Sequence, residues 1–346
     1  MALSCLAFAA LVVLAAGVGS VRIPPAEVLG AVGRGLWATA GAVVHRPPGG
    51  VEAVGVDPAT RVFDTIVWHI RLPRVVLAAL VGAALALAGA GFQGVFRNPL
   101  ADPYLLGAAS GAGFAASLAM VGGGAWAWLG GLGVPVAAFA GAAAAVAVVV
   151  ALARRGWTLP IVPLVLAGVV VGSCLAAGTS FVLLAAREQA AGVLTWLLGS
   201  LAFASWGRVG TLLPPVLASA AVLIAAARSL DVLQLGERTA MQLGLPVEAL
   251  KLTVVAAGTL ATAAAVSVAG VIGFVGLVVP HAVRLALGPD HRRLVPMAAV
   301  WGAGFMVLAD LVARTVIAPA ELPVGVVTAL VGAPFFLLLL RRKVAS

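Results

Sequence analysis

An all-α, polytopic membrane protein of about ten transmembrane helices is the fold class this sequence predicts, and three observations predict it. Hydrophobic residues make up 63% of the 346 positions and charged residues only 10%, where ordinary soluble domains carry about 25% charged residues. So few charges cannot cover a water-facing surface. From Val75 onward the apolar runs are nearly continuous, interrupted by short turns that carry most of the basic residues. Dividing the length by roughly 20 residues per spanning helix, with short loops between, gives on the order of ten spans. Residues 1–346 therefore read as a single transmembrane domain. Soluble enzymes, disordered regulators and fibrous proteins are excluded.

The elements follow in order. The first twenty residues, MALSCLAFAALVVLAAGVGS, have no basic residue ahead of the apolar core, so they read as a short first span retained in the protein rather than as a signal peptide. Val21 to Ile70 is the least hydrophobic stretch. Its IPPAEVLGAVG, HRPPGG and GVDPATRVFD predict a periplasmic segment over 21–70 with one short helix around Pro25 to Leu36. Further spans are expected at about 75–96, 104–122, 126–153, 160–186, 208–227, 252–269, 271–287, 295–317 and 323–340. Ala190 to Phe203 is too short to cross and reads as a surface or re-entrant helix. Arg228 to Lys251 is a polar insertion, expected as two short helices hinged at Gly244-Leu-Pro246.

Charge orients this array. The formal charge of +9 arises from 21 Lys and Arg against 12 Asp and Glu. In a soluble chain such an excess would suggest nucleic acid; here basic residues collect in cytoplasmic loops and set topology. In the short loops they divide twelve to three, the three being Arg187, Arg208 and Arg314, which puts both termini and the 228–251 insertion in the cytoplasm. An offset of 181 positions superposes Ala88-Gly89 on Ala269-Gly270, Pro99 on Pro280 and Leu106-Gly107 on Leu287-Gly288, which suggests a parallel internal repeat.

Candidate chemistry is sparse. The two cysteines, Cys5 and Cys174, and the four histidines, His45, His69, His281 and His291, are scattered without a metal-ligand or disulfide spacing. Ionisable groups inside a membrane are costly and usually functional, yet the stretches 75–96, 104–153, 156–186 and 252–283 contain no carboxylate, Lys or Arg. The exception is Asp310 with Arg314, spaced i,i+4 so that the charges can pair. Asp310 alone is a thin basis for ion coupling, and no nucleophile, base or metal constellation suits an intramembrane enzyme. A P-loop needs Gly-Lys followed by Ser or Thr, but Lys251 follows Leu250 and Lys343 follows Arg342, so any ATP is bound by another subunit. The pattern Glu237-x-x-Ala240-x-x-x-Gly244 suits a helix pressed into a partner's groove. The glycine groups Gly107-AAS-Gly111, Gly270-VI-Gly273-FV-Gly276 and Gly302-A-Gly304 suit close helix packing in lipid, and the second can also break a helix before Pro280.

Taken together, RLPRVVLAALVGAALALAGAGFQGVFRNPLADPYLLGAASGAG (Arg71 to Gly113), ERTAMQLGL, GVIGFVGLVVPHAVRLALGPDHRRLVP (Gly270 to Pro296), ADLVAR and ELPVGVVTALVGAPFF resemble the FecCD-type permeases, the type II membrane subunits of ABC importers for iron-siderophores, haem and cobalamin. The resemblance runs from about residue 60 to the C-terminus, and RNPLADP and GFVGLVVPH are its specific signals. It implies a permease that imports an iron chelate or haem, with cobalamin as the alternative cargo; outside the family, an ion-coupled secondary transporter is the rival class. It also implies a second permease copy, two cytoplasmic ATPase subunits that hold ATP and Mg, and a periplasmic or lipid-anchored binding protein. This chain itself is expected to bind membrane lipid, but no cofactor and no nucleic acid. By the same resemblance the fifth and tenth spans line the pathway, offering Ser173, Cys174, Thr179 and Ser180 on one and Pro323 and Gly325 on the other. Coupling to the ATPase falls to Gly236, Glu237, Arg238, Ala240 and Gly244. Docking of the binding protein falls to Arg71, Arg74 and Arg314; in RLPR, Pro73 fixes a helix start and the three-residue spacing puts the first two on one side.

Overall fold

The computed structural model describes residues 2–19, 23–44, 58–123, 129, 131–186 and 188–344. His45, the HRPPGG stretch, Arg22, Arg46 and Arg187 lie outside the described residues. Among those described there is no β-strand, and an isolated bridge from Arg155 to Thr158 closes one turn.

The chain is a bundle of helices: α1 (Ala2–Gly17), α2 (Pro25–Val44), α3 (Pro58–Thr65), α4 (Leu72–Val95), α5 (Ala108–Val121), α6 (Gly133–Ala153), α7 (Ile161–Ala185), α8 (Ala190–Leu197), α9 (Trp206–Leu233), α10 (Glu237–Gln242), α11 (Val247–Ala269), α12 (Val275–Leu287), α13 (His291–Thr315) and α14 (Val324–Val344). Among the described residues, six helical stretches are long and apolar enough to cross a membrane: Val62–Val95, Gly133–Ala153, Ile161–Ala185, Trp206–Leu233, Val247–Ala269 and His291–Thr315. Four shorter apolar stretches, Leu3–Gly17, Ala108–Val121, Val275–Leu287 and Val324–Leu338, bring the set to the ten expected.

The central helix is α4, joined to α3 through a π-helical turn, Ile66–Arg71, and packed against α9, α11, α12 and α13. Its LVGAALALAGAG core is built of small residues because its neighbours approach to backbone contact. A Cβ on Gly82 would overlap the Gly302 carbonyl, and one on Gly89 the Gly276 carbonyl; Gly111 and Gly141 meet in the same way between α5 and α6. In lipid such close packing replaces the hydrophobic drive as the source of helix association. The expectation of glycine-mediated packing therefore holds at Gly111, Gly276 and Gly302, while Gly273 faces open space. The second glycine group also breaks the chain: α11 stops at Gly270, and α12 starts after Phe274, whose φ of 69° is left-handed.

Three expectations need correction. The short helix near Pro25 runs on to Val44. The 228–251 insertion is the last turn of α9, one short helix and the first turn of α11, because the apolar stripe of α9 continues through Leu230 and Leu233 into the core. The 181-residue repeat does not survive: Ala88-Gly89 lies inside α4 whereas Ala269-Gly270 is where α11 ends, and Pro99 is in a turn whereas Pro280 is inside α12.

Candidate functional site

Two charged clusters sit at opposite ends of the bundle, and an open groove runs along α7 between them. The first cluster lies where α4 begins and α13 ends. Arg74 Nε donates to both oxygens of Asp310 at 2.9 and 3.1 Å, its Nη2 lies 2.9 Å from Asp310 Oδ1, and its Nη1 donates to Glu321 Oε1 at 2.9 Å. Asp310 is 1% exposed, so a bidentate guanidinium is the partner that best offsets its burial. Arg314 approaches the same carboxylate at 3.6 Å, and its Nη2 donates to the Ala15 carbonyl. Arg71 donates to the carbonyls of Ala16 and Gly17, each at 2.9 Å. The last carbonyls of a helix have no partner within it, so these two arginines cap α1 and fasten it to α4 and α13.

The structure gathers the three arginines named from the sequence into one cluster. It does not leave them as three open forks. Arg71 is buried and Arg314 half-buried, both committed to α1, and Arg74 keeps 14% of its side chain exposed beside Glu321, which keeps 42%. The principal partner of Asp310 is Arg74, not the i,i+4 neighbour Arg314. That pairing spans 236 positions and could not be read from spacing.

The second cluster lies where α9 ends and α11 begins. Gly236 and Gly244, with φ of 107° and 83°, bracket α10 in conformations that favour glycine. Ala240 is buried against the rest of the chain, which corrects the expectation of a small-residue face offered to a partner. The exposed side of α10 and its flanks carries Leu235, Arg238, Met241 and Leu243 instead. Glu237 turns inward to Lys251 at 2.8 Å, and Lys251 also pairs with Glu248 at 3.1 Å. Glu248 and Lys251 were missed as functional candidates. Their signal was the i,i+3 spacing of opposite charges at the start of an apolar helix.

The pathway candidates divide. Ser173 and Cys174 are exposed on α7. Ser180 is exposed but donates to the Ala176 carbonyl at 3.1 Å, and Thr179 is buried and donates to Leu175 at 2.9 Å. At the head of α14, Pro323 is half-buried. Gly325 is half-buried and pressed on the turn after α8, its amide donating to Leu198 at 3.2 Å, so a Cβ there would overlap the Leu198 carbonyl. Ser173 lines a groove of about 410 Å³ with Asp102, Tyr104, Gly107, Ser110, Gly168 and Gly172. RNPLADP builds the facing wall: Asn98 accepts from the Leu100 amide at 3.0 Å, Asp102 from the Tyr104 amide at 2.8 Å, and the Tyr104 hydroxyl donates to Ile272 at 3.0 Å across the α11–α12 break. The outer face of α7 is apolar and open at Val162, Leu166, Val169, Val170, Phe181 and Leu184. Among the described residues no three His, Cys, Asp or Glu side chains gather as a metal site.

The chain is similar to proteins already known. The profile of the FecCD transport family matches residues 6–342. The cobalamin import system permease of Halobacterium salinarum is 44% identical over 341 residues, 99% of this chain and 89% of its own length. The hemin transport system permease of Yersinia pestis is 42% identical over 287 residues, 80% of this chain and 84% of its own. A solved metal-chelate type ABC transporter in an inward-facing conformation aligns with a TM-score of 0.75 at 30% identity, over 92% of this chain and all of its own. The chain belongs to the FecCD transport family and is a membrane-embedded permease of an ABC importer.

Proposed function

We propose that this permease moves a metal held in a bulky organic ligand, an iron chelate or haem, inward across the cytoplasmic membrane. The observation that carries the reading is the groove along α7, about 410 Å³ and lined on the α7 side mostly by small residues, with Ser173 and, beside it, Cys174 open on the helix. A weakly polar wall of that kind lets a chelate slide without holding it. Cobalamin is the second reading, favoured by a cobalamin permease that matches 99% of this chain. The apolar outer face of α7 suits a second copy, so that the groove becomes part of a path between two permeases. Leu235, Arg238, Met241 and Leu243 around α10 suit the groove of an ATPase subunit, where ATP and Mg are bound. Arg74 and Glu321, at the other end, suit a substrate-binding protein, with Arg71 and Arg314 holding the surface in place from behind. In this reading both termini and α10 lie in the cytoplasm, which the basic residues of the short loops support.

The test is uptake into proteoliposomes that contain the permease, its ATPase and its binding protein, offered a ferric chelate, haem and cobalamin in turn. ATP-dependent uptake of the ferric chelate or haem is the expected result. Uptake of cobalamin alone favours the second reading, and uptake of none of the three defeats the cargo class.

A further inference from the structure

We infer that Lys251, Glu237 and Glu248 form a positioning node that carries movement of α10 to the start of α7. The inference rests on the reading of α10 as the ATPase-contacting helix. Lys251 is 2% exposed, although it lies in the first turns of α11, where a lysine could reach water. Its ammonium is instead held between two carboxylates: Glu237 Oε2 of α10 at 2.8 Å and Glu248 Oε1 of its own helix at 3.1 Å. The second oxygen of Glu248 accepts the backbone amide of Leu159 at 2.6 Å, and Lys251 also reaches the Leu159 carbonyl at 3.4 Å.

Both peptide groups of Leu159 are thus gripped by the node. The next residue, Pro160, is the N-cap of α7 and has no amide of its own to anchor the chain. The path therefore runs from Glu237 to Lys251, to Glu248, to the backbone that leads directly into α7, the helix that carries Ser173 and Cys174.

The surroundings make this link directional. Bracketed by Gly236 and Gly244 in left-handed conformations, α10 has little helical continuity with α9 or α11. Its polar side-chain tie to α11 is the Glu237–Lys251 ion pair. With its ammonium buried and its bond charge-assisted, such a pair holds its geometry better than a fully solvated one. A push on the exposed Met241 and Leu243 is passed to Leu159 through three side chains, and the node has no need of a contact between the ATPase and α7.

The experiment uses the reconstituted complex of permease, ATPase and binding protein. Lys251→Met is expected to leave basal ATP hydrolysis within about twofold and to lower cargo moved per ATP at least tenfold; Lys251→Arg is expected to restore most of that ratio. Spin labels at Trp157 and Met241, in a background of Cys5→Ser and Cys174→Ser, give the second readout. Their distance distribution should stay narrow across nucleotide states in the parent and broaden in Lys251→Met. Transport and hydrolysis that fall in proportion, or a distribution that Lys251→Met leaves narrow, would overturn the node and leave these residues as an anchor. If Lys251→Met does not assemble, Glu248→Gln keeps the volume and is judged by the same two readouts. Crosslinking from Met241 to the ATPase in the parent complex tests the coupling reading separately. Its absence defeats that reading together with the node, whereas crosslinking combined with proportional losses defeats the node alone.

Discussion

The two ends of the bundle solve the same problem, a charged group buried in an apolar protein, in different ways. At the α4–α13 end, Asp310 is enclosed by Arg74 and Arg314, and the pairing joins positions 236 apart. At the α9–α11 end, Lys251 is enclosed by Glu237 and Glu248, positions 14 and 3 away, whose side chains remain about a third exposed. The first cluster fastens three helices that must not separate. The second joins a small exposed helix to its neighbours and leaves its acids partly hydrated, so it can yield and recover. Long-range enclosure suits a fixed frame, and local, half-open enclosure suits a moving part.

The largest effect should come from breaking the frame. Asp310→Ala removes the principal carboxylate of Arg74 and the carboxylate that pairs with Arg314, which should destabilise the permease by about 3–5 kcal/mol. Thermal unfolding in detergent measures it. The double variant Arg74→Leu, Asp310→Leu should recover part of the loss, since an apolar pair carries no desolvation penalty. Lys251→Met should cost less, about 1–3 kcal/mol, because Glu237 and Glu248 can turn to water once the ammonium is gone. Equal losses at the two ends would erase the distinction between frame and moving part.

Substitutions at Gly244 sharpen the comparison further. A Cβ there meets nothing within 4 Å, so Gly244→Ala carries only the strain of a φ of 83°, about 1–2 kcal/mol. Gly244→Trp adds bulk outside the chain. If an ATPase seats there, Gly244→Trp should abolish substrate-stimulated ATP hydrolysis while Gly244→Ala spares most of it. The same loss in both variants would trace the effect to backbone strain alone. The smallest expected change is Glu321→Gln. This half-exposed pair should be worth about 0–1 kcal/mol, and releasing Arg74 from it should strengthen binding-protein docking at low salt. Arg74→Glu should weaken docking, and a surface plasmon resonance titration that registers neither change would remove this corner from the docking face.

Much of this was legible in the sequence. The ten apolar helices follow from composition and run length, and the glycine groups pointed to Gly111, Gly276 and Gly302 because close backbone approach admits few other residues. That Arg71, Arg74 and Arg314 lie at one end of the bundle was legible, but their partners were not. A buried ion pair across 236 positions leaves no periodic trace, and neither does the use of arginines as caps for the carbonyls of Ala15, Ala16 and Gly17. Ala240 was misread because a short amphipathic pattern does not say which of two surfaces its small face meets. Glu248 and Lys251 were passed over because a pair of opposite charges at a helix start resembles an ordinary solvated turn until Leu159 is folded against it.

The most direct measurement is cargo uptake into proteoliposomes in which the energy source is varied by itself. If the buried charges are a frame and a linkage, and not an ion site, uptake should follow ATP inside the vesicle compartment that holds the ATPase and should be indifferent to an imposed proton or sodium gradient. Uptake driven by a gradient without ATP, and abolished by Asp310→Asn under conditions where the variant remains folded, would contradict the account.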